Sequence, residues 1–163
     1  LYVSRHGVMF FDDPVAAFAN LAASAADNAQ MVFSCFRAPA ENAWATKIAA
    51  LVPSAPSGDP HAPGPFAFAD PDRVKGILTP AGWSDIAFEP VDFDYVAGSG
   101  EDPVADALDF FGHIGPAARA IRMLEGDARI AFLSGLRKLA EQHLHDGAVR
   151  FAAAAWIVTA KKY

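Results

Sequence analysis

The residues best suited to chemistry lie in one short segment near the start of the chain, residues 4–11. The segment combines a hydroxyl, a cation, an imidazole, a glycine and two aromatic rings: Ser4, Arg5, His6, Gly7, Phe10 and Phe11. His6 is the only side chain there that could accept a proton near neutral pH, so it is the candidate general base. A second pair lies at the end of the apolar run 31–36: Phe36 is the last residue of the run, and Arg37 follows it.

Both segments are expected to follow strands of one β-α-β unit. The sequence predicts strands at 1–4 and 31–36 with a helix at 14–27 between them, and such a unit is parallel and right-handed. The carboxyl ends of its strands then meet at one edge of the sheet, where open α/β sheets bind their ligands. Two arginines and three phenylalanines would therefore converge on one crevice. The residues alone leave open an ordinary loop whose phenylalanines fill the core.

Three predicted helices begin with the same pair of residues, an aspartate followed by a proline. The aspartate side chain can accept a free backbone N–H, and proline loses nothing at the first helical position. These pairs begin at Asp13, Asp70 and Asp102. Gly82 is expected to end the second of these helices in a left-handed conformation, and a shorter helical turn is expected to begin at Pro116.

Hydrophobic spacing predicts the remaining elements. They are helices over 44–52 and 130–144, a short strand at 86–89 ahead of Pro90, and a long strand at 149–159. The near-continuous apolar run at 31–36 is typical of a strand buried on both faces. Several prolines in 53–66 predict an extended crossover rather than a domain boundary.

Length and composition exclude several classes of protein. The 163 residues are the size of one domain, and 13 Phe with 3 Trp exclude a disordered chain. A net charge of −6 without a basic run removes the electrostatic basis of nucleic-acid binding, and no apolar window is long enough to span a membrane. With the predicted elements, this indicates an α/β domain whose sheet is incomplete beside strand 1–4.

Cys35 is the only cysteine, and it lies inside the most apolar strand. A lone cysteine excludes an internal disulfide and a cysteine zinc cluster, and a reducing, cytoplasmic environment is the expectation. A nucleophilic role is the alternative to a core position. Apolar surroundings raise the pKa of a thiol and make it inert, so we favour the core position.

Two other motifs are better explained by structure than by ligand binding. The two histidines His143 and His145, with Asp146 beside them, could suggest a metal site, but no further ligand is evident, and a solvated helix end is favoured. No metal is therefore expected. Residues 98–100 form a Gly-Ser-Gly sequence ahead of a helix. Because Pro103 stands where a phosphate loop would have its third glycine, a flexible turn is the better interpretation.

Five segments follow one another in an order and spacing that carry a family resemblance. They are Ser-Arg-His-Gly-Val-Met-Phe-Phe-Asp-Asp-Pro at 4–14, Val-Phe-Ser-Cys-Phe-Arg-Ala-Pro at 32–39, and residues 65–70, 81–86 and 155–160. They are spread over residues 4–160, so the resemblance spans most of the chain, and the first segment is the most specific. The sequence resembles class I S-adenosylmethionine-dependent methyltransferases of the small-molecule type.

The resemblance implies a Rossmann-like, doubly wound sheet of seven strands whose last strand is antiparallel. Residues 1–4 and 31–36 would be its fourth and fifth strands, and 84–90 its sixth. Residues 149–159 would form the seventh strand, inserted between the fifth and the sixth. The proline-rich region and the helices around 103–143 would shape the substrate side.

The same resemblance implies methyl transfer from S-adenosylmethionine to a small-molecule acceptor. Ser4 and Arg5 would lie beside the cofactor, partly through backbone groups, and His6 would be the general base. The residues expected to face the crevice between cofactor and substrate are Phe10, Phe11, Phe36 and Arg37. The expected partner is a small-molecule substrate rather than nucleic acid or a membrane, and a homo-oligomer is left open.

The sequence also departs from the family. The glycine-rich loop after the first strand and the acid after the second are absent, His6 replaces a common aromatic residue, and 27–29 replace a Pro-Gly-Gly turn. We therefore expect residues 1–163 to be the C-terminal portion of a single methyltransferase domain that continues for about 100 or more residues upstream and binds S-adenosylmethionine poorly alone. The alternatives are a non-enzymatic α/β module that binds a ligand or partner, and an inactive methyltransferase-like subunit.

Overall fold

The computed structural model describes residues 1–52, 59 and 61–163. The crossover predicted for 53–66 therefore lies partly outside the described residues. The chain divides into two compact units. Unit 1 comprises residues 1–39, 154–163 and the described part of 58–92, and unit 2 comprises residues 93–153 and the described part of 40–57.

The helices and strands alternate along much of the chain. In chain order they are β1 (Tyr2–Arg5), α1 (Pro14–Ser24), β2 (Gln30–Phe36), α2 (Ala43–Ala49), α3 (Pro71–Leu78), β3 (Ser84–Gly98), α4 (Pro103–His113), α5 (Gly115–Met123), α6 (Gly126–Gln142), β4 (Leu144–His145) and β5 (Ala148–Lys161). Short 3₁₀ turns occur at Val8–Phe10 and Pro39–Glu41. None of the helices in the described ranges is long and apolar enough to cross a membrane.

The strands form one sheet in the order β1-β2-β5-β3, and β4 pairs with β5. β1 and β2 are parallel, with Tyr2 opposite Met31, whereas β2 and β5 are antiparallel, with Gln30 opposite Lys161. The last strand therefore lies between β2 and β3, as the family resemblance implied, and β1 lies at the edge of the sheet formed by the described residues. The predicted fold class, a partial Rossmann-like α/β sheet, is confirmed.

One face of the sheet in unit 1 carries the core. Phe33 of β2 and Phe18 of α1 pack with Phe68, with ring centroids 5.8 to 6.2 Å apart. On the other face Val3 is 73% exposed, and its register partner Val32 is half-buried. On this second face of β2, Val32 and Ser34 are half-buried and Phe36 is buried, so the prediction that strand 31–36 is buried on both faces is only partly correct.

β3 is much longer than the short strand predicted, spanning 15 residues from Ser84 to Gly98. It runs antiparallel to β5, since Ser84 Oγ donates to Lys161 O at 3.1 Å near one end and Arg150 lies 3.6 Å from Asp94 towards the other. Pro90 does not end the strand. β3 is at the edge of the sheet, where a missing backbone N–H is tolerated.

The helix starts were predicted well and the helix ends less well. Asp13, Asp70 and Asp102 each accept a backbone N–H of the first turn at 2.9 to 3.0 Å. The first helix ends at Ser24 rather than 27. Gly82 has a left-handed φ of 90°, its backbone N–H donates to Thr79 O, and the Trp83 N–H donates to Leu78 O, both at 3.1 Å. This pair of bonds is a Schellman cap, so Gly82 closes the C-terminal end of α3 as predicted, although the regular helix ends at Leu78. The turn predicted at 116 is a full helix, α5.

The turn at 98–100 is shaped by its contact with α4 in unit 2. A Cβ added to Gly98 would lie 2.1 Å from Pro103 O and 2.5 Å from Ala107 N, so only glycine fits there. The Ser99 N–H donates to the Asp106 carboxylate at 2.8 Å, which places an acid where a phosphate loop would bind its anion. The interpretation as a turn rather than a phosphate loop agrees with this geometry.

Candidate functional site

His6 occupies the position directly after β1 in a left-handed conformation, with φ of 51°. The backbone N–H of His6 donates to the backbone oxygen of Ser34 at 3.1 Å, and this bond holds the end of β1 against β2. Its ring stacks on Phe36 with centroids 4.2 Å apart and planes 16° apart. Burial lowers the pKa of the imidazole below its usual 6.5, and the charge of Arg5 lowers it further. The neutral ring is therefore the form present at pH 7.

Ser4 and Arg5 project from opposite faces of β1, as neighbouring residues of a strand must. Ser4 is half-buried and lies opposite Phe33 on the face that α1 covers, whereas Arg5 is exposed. A Cβ added to Gly7 would lie 3.1 Å from Ser4 Oγ, so the glycine lets the turn pass close to this hydroxyl. The two residues expected beside the cofactor thus share a strand but not a face.

Phe10 and Phe11 also have different surroundings. Phe10 is 53% exposed at the end of a 3₁₀ turn whose other residues, Val8 and Met9, are buried. Phe11 packs edge to face against Phe18, with centroids 5.7 Å apart, and so contacts the core. Phe10 is the aromatic side chain of this turn that a ligand could reach.

Phe36 is buried between His6 and an additional ring, Phe66, whose centroid lies 5.9 Å away. The segment carrying Phe66 is attached to the turn after β1, because the Gly64 N–H donates to Met9 O at 3.1 Å. Sequence reasoning did not include Phe66 among the site residues. The segment 65–70 did carry part of the family resemblance, which is the one signal that could have identified it.

Arg37 lies in a separate group of contacts at the end of β2. Its Nη1 lies 2.9 Å from Asp92 Oδ1, and its guanidinium lies 5.2 Å from the centre of the Trp156 ring. Trp156 is itself fixed, because its indole N–H donates to Ala69 O at 3.0 Å. Asp92 and Trp156 were not predicted as neighbours of Arg37, and no local pattern in the sequence connects them.

The other residues considered for chemistry, a possible nucleophile and a possible metal ligand, have contacts typical of residues that stabilise the fold. Cys35 is fully buried, its thiol lies 3.5 Å from Phe68 O, and burial raises its pKa to about 12, which agrees with the favoured core position. His143 stacks on Phe151 at 4.4 Å, and its Nδ1 lies 2.8 Å from Leu139 O. Within the described parts of the chain, no three potential ligands come together to hold a metal ion.

Comparisons with known proteins give a likeness of fold. No family model matches the chain, and no curated protein matches it. A solved structure of a candidate methyltransferase from Bacillus halodurans aligns with 98% of this chain and 68% of its own, with a TM-score of 0.50 and 10% identity. This likeness supports the Rossmann-like fold of a methyltransferase.

Two further solved structures are of phosphoethanolamine N-methyltransferase 2 from Haemonchus contortus. One is a complex with S-adenosyl-L-methionine, and the other contains phosphomonomethylethanolamine and S-adenosylhomocysteine. Each aligns with 98% of this chain at 10% identity, with TM-scores of 0.41 and 0.42. This chain spans 32% of their length.

Proposed function

We propose that this chain belongs to an enzyme that transfers a methyl group from S-adenosylmethionine to a small-molecule acceptor. The observation that carries the proposal is the cluster of His6, stacked on Phe36, with Phe66 tilted against Phe36, at the carboxyl ends of two parallel strands in a chain with a methyltransferase-like fold. Open α/β sheets bind ligands at this edge. The cluster supplies a neutral imidazole and aromatic rings there.

Some of the residues at the carboxyl ends of β1 and β2 suit the binding of a sulfonium cation such as S-adenosylmethionine. The negative faces of aromatic rings attract positive charge, and Phe10, which is 53% exposed, supplies such a ring, whereas Phe36 fixes the His6 ring from below the surface. Ser4 and Arg5 would add backbone groups at the end of β1. When bound, S-adenosylmethionine would supply an electrophilic methyl group. The chain's own contribution is to align the acceptor and to exclude water from it.

His6 would accept the proton that the acceptor loses. Its lowered pKa keeps the imidazole neutral at pH 7, and the Phe36 ring together with the bond to Ser34 fixes its position. Arg37, held by Asp92 and Trp156, would line the substrate side together with Phe11. Displacement at a methyl group depends mainly on alignment, so the base is an aid rather than the source of the reaction.

We also propose that residues 1–163 are the C-terminal portion of a single methyltransferase domain, with 53–66 a crossover inside it. The support is the free side of β1. Leu1 and Val3 are 81% and 73% exposed, on a strand that pairs only with β2 among the described residues. A parallel strand that has both an unpaired backbone edge and exposed apolar side chains on one face is normally covered. Further polypeptide would then supply the glycine-rich loop and the acid that this sequence lacks.

Calorimetry with S-adenosylmethionine tests both parts of the proposal. A longer form of the protein, extended upstream of Leu1, should bind the cofactor, and the 163-residue chain should bind it weaker by about two orders of magnitude or more. The longer form should then release S-adenosylhomocysteine with a panel of amines, phenols and carboxylic acids. Absence of binding would exclude the enzyme, and binding without turnover on any acceptor would support the inactive subunit.

A further inference from the structure

Unit 2 exposes apolar side chains on its last two helices. Met123 at the end of α5 is 63% exposed, and Ile130 and Leu133 on α6 are 67% and 39% exposed. Ile130 and Leu133 are three residues apart and share one side of the helix. All residues from 125 to 131 are exposed, so the start of α6 projects from its unit. The adjacent pair Ile130 and Leu133 forms an exposed apolar patch, and contiguous apolar patches are a feature of interaction surfaces.

The same two helices carry an unusual share of the chain's positive charge. Five of its 13 lysines and arginines lie between residues 119 and 138, and all five are exposed: Arg119, Arg122, Arg129, Arg137 and Lys138. Within the described part of the chain, none of these five side chains makes an ion pair or a hydrogen bond. We call these five residues the basic surface. Asp127 and Glu141 are also exposed on α6, but among the described residues neither forms an ion pair with any of the five, so the five cations are available to an acidic surface of another molecule.

The chain itself supplies a matching acidic surface. Residues 76–118 contain eight acids and no lysine or arginine. In unit 2 these acids include Glu101, Asp106 and Asp109, which are exposed on α4 and just before it. We call them the acidic surface. Opposite charges on two surfaces of one chain favour association between copies.

We propose that the basic surface binds the acidic surface of a second copy of this chain, head to tail. A symmetric pairing of two basic surfaces would place arginines against arginines, and like charges brought together in this way oppose association. The head-to-tail arrangement instead brings the five cations of the basic surface towards the three acids of the acidic surface, and it would bury the apolar residues beside those cations, Ile130 and Leu133. Such a contact is heterologous, so it forms a ring where the rotation closes and a chain where it does not.

Sedimentation velocity over a range of protein concentrations tests the proposal. The protein should self-associate at about 0.05 M salt and dissociate as salt rises to about 0.5 M, because screening weakens exposed charge pairs. Arg129→Glu and Glu101→Lys should each weaken association by about five- to tenfold. The matched controls are Lys47→Glu and Asp27→Lys, which make the same changes of charge at exposed positions outside both surfaces. They should leave association unchanged.

Mixing the two variants distinguishes head-to-tail from symmetric pairing. Arg129→Glu and Glu101→Lys should associate with each other more tightly than either does with itself, because the two reversals restore one attractive contact. A protein that stays monomeric at every concentration overturns the proposal, and so does tighter association of Arg129→Glu alone. Monomers that bind vesicles of anionic phospholipid through Arg129 would also overturn it, in favour of a lipid partner.

Discussion

The imidazole of His6 lies flat against the phenyl ring of Phe36, with the ring centroids 4.2 Å apart. The two residues are 30 positions apart in the sequence, and the parallel register of β1 and β2 brings them together. The left-handed backbone at His6 turns the chain out of β1, and its N–H stays bonded to Ser34. The position of this ring is therefore set by the sheet rather than by the loop alone.

Replacing His6 by asparagine tests the ring without removing the backbone conformation, because asparagine tolerates positive φ. In the active, longer protein we expect kcat/KM to fall on the order of 10²-fold. The wild-type rate should stay high on the acid side of neutrality and fall only below the usual histidine pKa of 6.5, because burial lowers the pKa of His6. The pH–rate profile of the variant should lack this acid limb.

The control for that experiment is His145→Asn, since His145 is exposed on the short strand β4. Its profile should match the wild type. An unchanged rate for the His6 variant at every pH would remove His6 from the mechanism. An imidazole titration followed by NMR would show separately whether its pKa is lowered.

The same shift predicts a dependence of stability on pH. Because the folded pKa of His6 lies below 6.5, the unfolded chain binds more protons between those two values. The contribution of His6 is therefore fully present above pH 6.5 and is lost as the pH falls towards the folded value. Urea unfolding of wild type and His6→Asn between pH 7 and pH 5 should show wild type losing more stability on acidification. If the free energies of unfolding of the two proteins fell by the same amount between pH 7 and pH 5, the lowered pKa of His6 would be contradicted.

Cys35 should be inert in the folded protein. Its side chain is fully buried and its pKa is raised to about 12, so the reactive thiolate is almost absent at neutral pH. We expect a disulfide reagent to label it only as fast as the protein unfolds, and at once in denaturant. Rapid labelling of the native protein would show that β2 opens locally.

The sequence predicted best those features that depend on neighbouring residues. An aspartate followed by a proline marks a helix start by itself, and Asp13 and Asp102 do cap their helices. β3 was underestimated because Pro90 stops a strand in most settings, and its tolerance depends on an edge position that only the assembled sheet defines. Local patterns cannot report such non-local facts.

The candidate site likewise combines residues that local sequence predicted with residues that only the fold brings together. Phe36 and Arg37 could be proposed from their place after a strand, because parallel strands end at one edge. Phe66 and Trp156 join them through contacts between distant segments, and nothing near either residue marks it. The resemblance to a family placed both inside matching segments without assigning either a role.

Asp13 and Asp12 provide a matched test of the helix cap. Asp13 accepts the Ala16 N–H at 2.9 Å, whereas its neighbour Asp12 is exposed and makes no such bond among the described residues. Asp13→Ala should lower the free energy of unfolding by about 1 kcal/mol, because a free N–H at the start of α1 loses its partner. Asp12→Ala should change it by less than about 0.5 kcal/mol. Equal effects in urea unfolding would show that the charge matters and the cap does not.

Gly98 and Gly112 should respond in opposite ways to a single methyl group. A Cβ at Gly98 would lie 2.1 Å from Pro103 O and 2.5 Å from Ala107 N, which are backbone atoms of α4 and cannot rotate away. Gly98→Ala should therefore separate β3 from α4 and destabilise the protein by about 3 kcal/mol or more. Gly112 lies inside α4 with nothing within 4 Å of an added Cβ. Gly112→Ala should stabilise the protein by about 0.5 to 1 kcal/mol, because alanine loses less backbone entropy in a helix. Urea midpoints of the two variants measure the difference, and a neutral Gly98→Ala would mean that the strand and the helix are not in close contact.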